Sequence, residues 1–257
     1  CLIMEGKVAH YDRIQEFLFF WELGLDGSVK RVNWLLPSVI SAKKKGYQVF
    51  FVPAENSYEL EYISDITIIP LSHFQQIVDF LLKGTGLPHL RNAKNLDELS
   101  SQQQSLESDF AYIKGQLVAK RALSIAAAGL HNLLMVGAPG SGKTLLSKAL
   151  PTILPPLDTS EILEVSQIYS VVGKLNKDLP LVIQRPFRQV HHTASKVSII
   201  WGGSNLTPGE VSLAHKGILF FDELPEFPRE VLEVLRQPLE DGIINISRDN
   251  WTVQYPA

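Results

Sequence analysis

Asn132-Leu133-Leu134-Met135-Val136-Gly137-Ala138-Pro139-Gly140-Ser141-Gly142-Lys143-Thr144-Leu145-Leu146 is the stretch on which the fold turns. Its apolar start, Asn132 to Val136, reads as a buried strand. Gly137 to Thr144 then match G-x-x-x-x-G-K-[ST] at all fixed positions, and Thr144 to Leu150 reads as a helix ended by Pro151. The glycines let successive backbone N–H groups turn inward around phosphates, and the helix N-terminus adds partial positive charge. Gly137, Ala138, Pro139, Gly140, Ser141, Gly142, Lys143 and Thr144 are therefore the candidate ATP-binding residues. Lys143 is placed to reach the β- and γ-phosphates and Thr144 to offer a hydroxyl to Mg2+, an ion that prefers oxygen ligands. A glycine-rich turn that merely joins strand to helix is the plainer alternative, and the strand-loop-helix context speaks against it.

Downstream, Ile218-Leu219-Phe220-Phe221-Asp222-Glu223 is an apolar strand ending in two acids, the Walker B arrangement. Asp222 at the strand tip is the second candidate Mg2+ ligand. Glu223 is placed to polarise an attacking water as general base, which makes Glu223 and Lys143 the candidate catalytic pair. Capping of the next segment is the alternative role for an isolated Asp-Glu. A small-molecule kinase has no need of a hydrolytic glutamate after the magnesium ligand, whereas an ATP-hydrolysing motor does.

Outward from these motifs, 257 residues with 45% hydrophobic side chains and a net charge of -3 suit two α/β domains with no global field for nucleic acid or membrane. One cysteine, Cys1, excludes a disulfide framework, and a reducing cytoplasm is the expected location. No apolar run approaches the roughly 20 residues that span a bilayer. The opening Cys1-Leu2-Ile3-Met4 and the close at Pro256-Ala257 read as cuts from a longer chain. Tyr47 to Val52 and Ile66 to Ile69 read as buried strands, Trp34 to Lys45 and Ser72 to Lys83 as helices. Ser72 with Gln75 forms the capping pair of the second helix, and Gly84 ends it. Asn92 to Asp109 is polar and reads as a linker. Val118 to Ala128 is an alanine-rich helix stopped by Gly129. Ile243 to Tyr255 alternates like two strands.

These residues resemble the magnesium-chelatase-like AAA+ ATPases, within them the YifB or ComM type. Ile113-Lys114-Gly115-Gln116 looks like the family's adenine-side element, so Ile113 and Gln116 join the ATP-binding set by resemblance. Arg185-Pro186-Phe187-Arg188, His191-His192-Thr193-Ala194-Ser195, Pro208 to His215, Leu224-Pro225-Glu226-Phe227 and Leu235 to Glu240 look like its signature stretches. Glu22 to Ser28, with the helix and strand after it, is similar to a Lon-like, ribosomal-S5-type domain. Asn33 to Ala42 offers no lysine for a Ser-Lys dyad. The resemblance implies an α/β chain in three parts: a partial Lon-like domain over 1–84, a linker over 85–109, and the first portion of an AAA+ domain with a parallel sheet over 110–257. The implied parent is a homo-hexameric ATPase acting on DNA, by helicase or branch-migration activity in recombination and natural transformation. Sensor 1, the arginine finger and sensor 2 are not in these residues, so weak or absent hydrolysis is expected. A metal-chelatase ATPase subunit and a non-enzymatic nucleotide-binding remnant are the competing readings.

The remaining features are read locally. Ser195 to Asn205 alternates at Val197, Ile199 and Trp201 and reads as a hairpin, with Lys196 and Lys216 as candidate contacts to a nucleic-acid strand or plain solvated lysines. Thr207-Pro208-Gly209-Glu210 reads as a capping-box start with proline first in the helix. Adjacent His191 and His192 have no further ligand at zinc-like spacing and read as hydrogen-bonded structural residues. Arg185 and Arg188 read as phosphate sensors or as partners of local acids. Pro228 to Leu235 is a helix packing Val231, Leu232 and Leu235 inward.

Overall fold

In a computed structural model, residues 16–83, 94–96, 99, 109–201, 207–248 and 251–257 are described. They fall into two compact units. One comprises the described residues of 1–99 with Tyr169–Leu181, the other those of 100–168 with 182–257. Gly84, most of the polar stretch 92–109 and the residues after Trp201 in the expected hairpin lie outside the described residues.

The first unit is built on a parallel sheet of β1 (Phe17–Phe19), β4 (Val49–Pro53) and β5 (Thr67–Leu71), in the order β1-β4-β5. A parallel sheet covered on both faces needs continuous apolar strands, and Phe50, Phe51 and Val52 are fully buried. One face of β4 and β5 puts Phe51, Ile69 and Leu71 against Ile77 of helix α2 (Phe74–Lys83). Helix α1 (Leu35–Lys44) buries Leu35, Leu36, Val39 and Ala42. Strands β2 (Glu22–Leu23) and β3 (Val29–Lys30) make a short hairpin, and Ser28 donates from its backbone N and its Oγ to Asp26 Oδ1 across the turn.

The α2 cap falls one residue later than the sequence suggests. The backbone N–H groups of Ser72 and His73 both donate to Gln76 Oε1, at 2.8 and 2.9 Å, so the returning side chain is Gln76 rather than Gln75. Ser72 is held instead at the sheet end, where its carbonyl accepts from Val29 N.

In the second unit, helix α3 (Leu117–Gly129) leads through residues 131–138 to the glycine loop and helix α4 (Lys143–Ala149). Helix α5 (Thr159–Val171) begins at Asp158, whose carboxylate accepts from Glu161 N at 2.8 Å, and its end belongs to the first unit. Strands β6 (Phe187–Val190) and β7 (Ile218–Phe221) pair in parallel, with Val190 opposite Phe221. Between them lie helices α6 (Lys196–Ile200) and α7 (Glu210–Leu213). Helices α8 (Arg229–Glu233) and α9 (Arg236–Asp241) follow β7, with Val231 and Leu235 buried. Strands β8 (Ile243–Arg248) and β9 (Trp251–Pro256) close the chain as an antiparallel hairpin.

Three expectations change here. Residues 132–136 do not form a buried strand: among the described residues nothing pairs with them, and Leu134 and Val136 are 69% and 89% exposed. An apolar, β-favouring run forms a strand only when another strand supplies its hydrogen bonds. Lys196 to Ile200 is a helix rather than one arm of a hairpin, because Ser195 Oγ caps it by accepting from Ser198 N at 3.1 Å. Helix α7 starts at Glu210 with Gly209 as its cap, while Pro208 pairs with Trp201 in an isolated bridge. No helix among the described residues is long and apolar enough to cross a membrane.

Candidate functional site

The glycine loop is shaped by its own backbone. Gly140 and Gly142 have φ of 75° and 87°, a left-handed conformation that a side chain disfavours. The space beside both is open, since a Cβ at either would meet nothing within 4 Å. The loop wraps the Lys143 ammonium, which donates to the carbonyls of Gly137 and Ala138 at 2.8 and 2.9 Å. No carboxylate among the described residues pairs with it. A cation held by neutral carbonyls beside open space keeps its charge available to an anion. Thr144 is the second residue of α4 and half-buried.

Ile113 and Gln116 do come to the loop. Gln116 Nε2 donates to Ser141 O at 3.1 Å, and Ile113, Gln116, Tyr112, Gly140, Ser141 and Leu146 line one cleft of about 380 Å3. Gln116 itself has φ of 53°, a conformation costly outside glycine and concentrated at functional positions. The cleft joins an apolar wall to a polar loop, as a flat heteroaromatic ring with a phosphate tail requires.

Asp222 follows the last residue of β7, and its carboxylate accepts from Gln189 Nε2 at 3.3 Å. Glu223 sits next to it with φ of 55° and ψ of 50°. That left-handed residue breaks the strand and sends its side chain toward His192, whose Nδ1 lies 3.2 Å from Glu223 Oε2. The Thr144 hydroxyl and the Asp222 carboxylate are each an oxygen donor of the kind that suits Mg2+, but among the described residues no hydrogen bond or shared cleft joins the glycine loop to Asp222.

The arginines are structural partners of acids. Arg188 makes a two-pronged contact with Glu210, Nε to Oε2 at 2.6 Å and Nη2 to Oε1 at 2.8 Å. Both carboxylate oxygens of Glu210 thus engage Arg188. Arg185 contacts Glu161 at 3.0 Å and donates to the carbonyls of Pro155 and Lys216. Lys216 lies 3.9 Å from both Glu161 and Glu164, while Lys196 is exposed on the first turn of α6.

His191 is hydrogen-bonded, as the sequence suggests, with Nδ1 3.2 Å from Thr193 Oγ1, but the company of His191 and His192 is not what the sequence suggests. Their ring centroids are 4.1 Å apart, and Glu223 joins them from another element. Sequence spacing alone does not signal that meeting, which depends on the β6–β7 pairing. Strand β6 and the long helix α5 are not among the sequence expectations, although Asp158 and Glu161 flank the start of an apolar-periodic run as a helix cap does.

A mixed α/β protein with parallel strand pairing, a phosphate-type loop and an acidic strand tip is of the P-loop class. The chain belongs to the magnesium chelatase, subunit ChlI, family, whose model matches residues 109–257. A second model, subunit ChlI of Mg-chelatase, matches residues 2–56. The chain is 40% identical over 247 residues to the competence protein ComM of Haemophilus influenzae, covering 95% of this chain and 47% of that one. It is 38% identical over 256 residues to the uncharacterized protein YifB of Escherichia coli, covering 100% of this chain and 49% of that one. An uncharacterized protein of Mycobacterium tuberculosis is 40% identical over 248 residues, covering 96% and 48%. The chain thus spans about half the length of these curated relatives.

Proposed function

We propose that this chain carries the nucleotide site of an AAA+ ATPase of the magnesium-chelatase-like, YifB/ComM type, with ATP and Mg2+ as ligands. The observation that carries the reading is the Lys143 ammonium held by neutral carbonyls in a loop of left-handed glycines, with Gln116 closing one side. Gly137 to Thr144 bind the phosphates, Ile113 and Gln116 border the base, Thr144 and Asp222 hold the metal ion, and Glu223 orients the water. The bound Mg2+ supplies charge neutralisation for the phosphates. In domain terms, residues 1–84 form a Lon-like domain, 85–109 a linker and 110–257 the first portion of the AAA+ domain, with Tyr169–Leu181 lent to the first unit. The full-length parent assembles as a cytoplasmic homo-hexamer that moves or branch-migrates DNA in recombination and natural transformation. Likeness to ComM over nearly the whole chain favours this over a metal-chelatase ATPase subunit.

The test is nucleotide binding by the chain and by Lys143→Ala. A charged hydrogen bond contributes about 1.5–3 kcal/mol, so the variant is expected to bind Mg-ATP roughly 10- to 100-fold more weakly. Equal affinity of the two proteins rejects the site. In a companion measurement Glu223→Gln keeps ATP affinity while lowering whatever turnover the chain has.

A further inference from the structure

One cluster of side chains in the second unit has a different chemistry from the magnesium donors. Strand β6 ends at Val190, and a turn closed by Ala194 N donating to His191 O at 2.9 Å follows at once. The strand's alternation of faces stops there, which lets neighbouring His191 and His192 point the same way. Glu223 arrives from the end of β7, turned by its left-handed backbone. One potential ligand atom from each of the three residues lies within 4.8 Å of the others.

The His192–Glu223 contact is not an ordinary hydrogen bond. Nδ1 of His192 is closed off from solvent and has no hydrogen-bond partner, although Glu223 Oε2 is 3.2 Å away. The two atoms are close without meeting the geometry of a hydrogen bond. Two ligands of one ion stand in that relation. With bonds of about 2.0–2.2 Å, nitrogen and oxygen sit about 3.4 Å apart around a tetrahedral ion and about 3.0 Å apart around an octahedral one. His191 is prepared similarly: its Nδ1 lies 3.2 Å from Thr193 Oγ1. An Nδ1–H donated to that hydroxyl leaves Nε2 with the lone pair, the arrangement in which an outer partner sets a metal-binding tautomer.

We propose that His191, His192 and Glu223 bind a divalent transition metal of the Zn2+ or Co2+ kind. Two imidazoles and a carboxylate suit such an ion and not Mg2+, which prefers oxygen alone. Three protein ligands leave a further position for water. An occupied site engages the carboxylate of Glu223 and so restrains hydrolysis. That consequence rests on the reading of Glu223 as general base; the metal binding itself does not.

The experiment is a Co2+ titration of the whole chain in excess Mg2+ without nucleotide, following the visible absorption of the four-coordinate ion and then displacing it with Zn2+. One equivalent is expected to saturate the band and Zn2+ to remove it. Loss of an outer-shell partner alone costs 10- to 100-fold in affinity, so a His191→Ala, His192→Ala double variant is expected to bind at least about 100-fold more weakly. Far-UV circular dichroism checks its fold. Lys143→Ala is expected to bind Co2+ as the parent does, which separates failure of the metal site from failure of the nucleotide site. Absence of the band at tenfold excess Co2+, or a folded double variant that binds as tightly as the parent, overturns the proposal. Should the double variant not fold, Glu223→Gln carries the same test at a side chain 61% exposed, and undiminished affinity there also overturns it.

Discussion

Glu59 is 1% exposed and accepts hydrogen bonds from Ser170 Oγ at 2.6 Å and Asn56 Nδ2 at 3.2 Å, with Arg31 3.6 Å away. Burial, the largest influence, pushes its pKa above the ordinary 4.5 despite those partners. A carboxyl with a raised folded pKa makes its full contribution to stability below the unfolded value. That contribution is lost as pH rises through the folded pKa. Thermal unfolding of the first unit should therefore move to lower temperature as pH climbs from 4.5 toward neutrality. Glu59→Gln should flatten that slope, and an unchanged slope in the variant would assign the pH dependence elsewhere. Nothing in the local sequence marks Glu59, since the residues that bury it come from distant positions. Lys143 is the opposite case. Its partners, the Gly137 and Ala138 carbonyls, belong to the same eight-residue motif, so the contact is local in the sequence.

Elements were legible where their periodicity was self-sufficient. Strands β4, β5, β7 and the β8–β9 hairpin lie close to where alternation and apolar runs put them. Residues 132–136 fail the same logic because a strand is defined by its neighbour. Since Val136 is 89% exposed, Val136→Lys should shift the melting temperature of this chain little, within about 0.5 kcal/mol of stability. A loss of several kcal/mol would show that the segment is buried after all. The β6–β7 pair makes a second prediction. A Cβ on Gly217 would lie 2.1 Å from Pro186 O, the carbonyl that accepts from Ile218 N at 2.8 Å. Backbone cannot yield as a flexible side chain does, so Gly217→Ala should destabilise the second unit by about 1–3 kcal/mol in denaturant melts. Ordinary stability in that variant would mean the strands do not approach so closely.

At the scale of the molecule, the chain crosses between its two units more than once. The segment Tyr169–Leu181 is separated from the rest of the first unit by much of the second unit's sequence, yet Ser170 Oγ donates to Glu59, Tyr58 Oη donates to Leu175 O at 2.9 Å, and Arg31 donates to the carbonyls of Gly173 and Leu175. Residues 100–257 produced alone should accordingly be cut by protease within 169–181, where the whole chain resists. Equal resistance of both would refute the role of these bonds.

The amino-acid sequence by itself determined the glycine loop, the acidic strand tip, the α/β class and the family likeness. Each is carried by residues adjacent in the chain, where backbone preference and side-chain type act over a few positions. Tertiary structure alone decided that Arg188 faces Glu210, that Glu223 meets two histidines, that Glu59 is buried, and that no strand among the described residues pairs with 132–136. Those outcomes depend on which strands lie side by side and which segments cover them. Packing between distant residues sets them, and no local pattern encodes it.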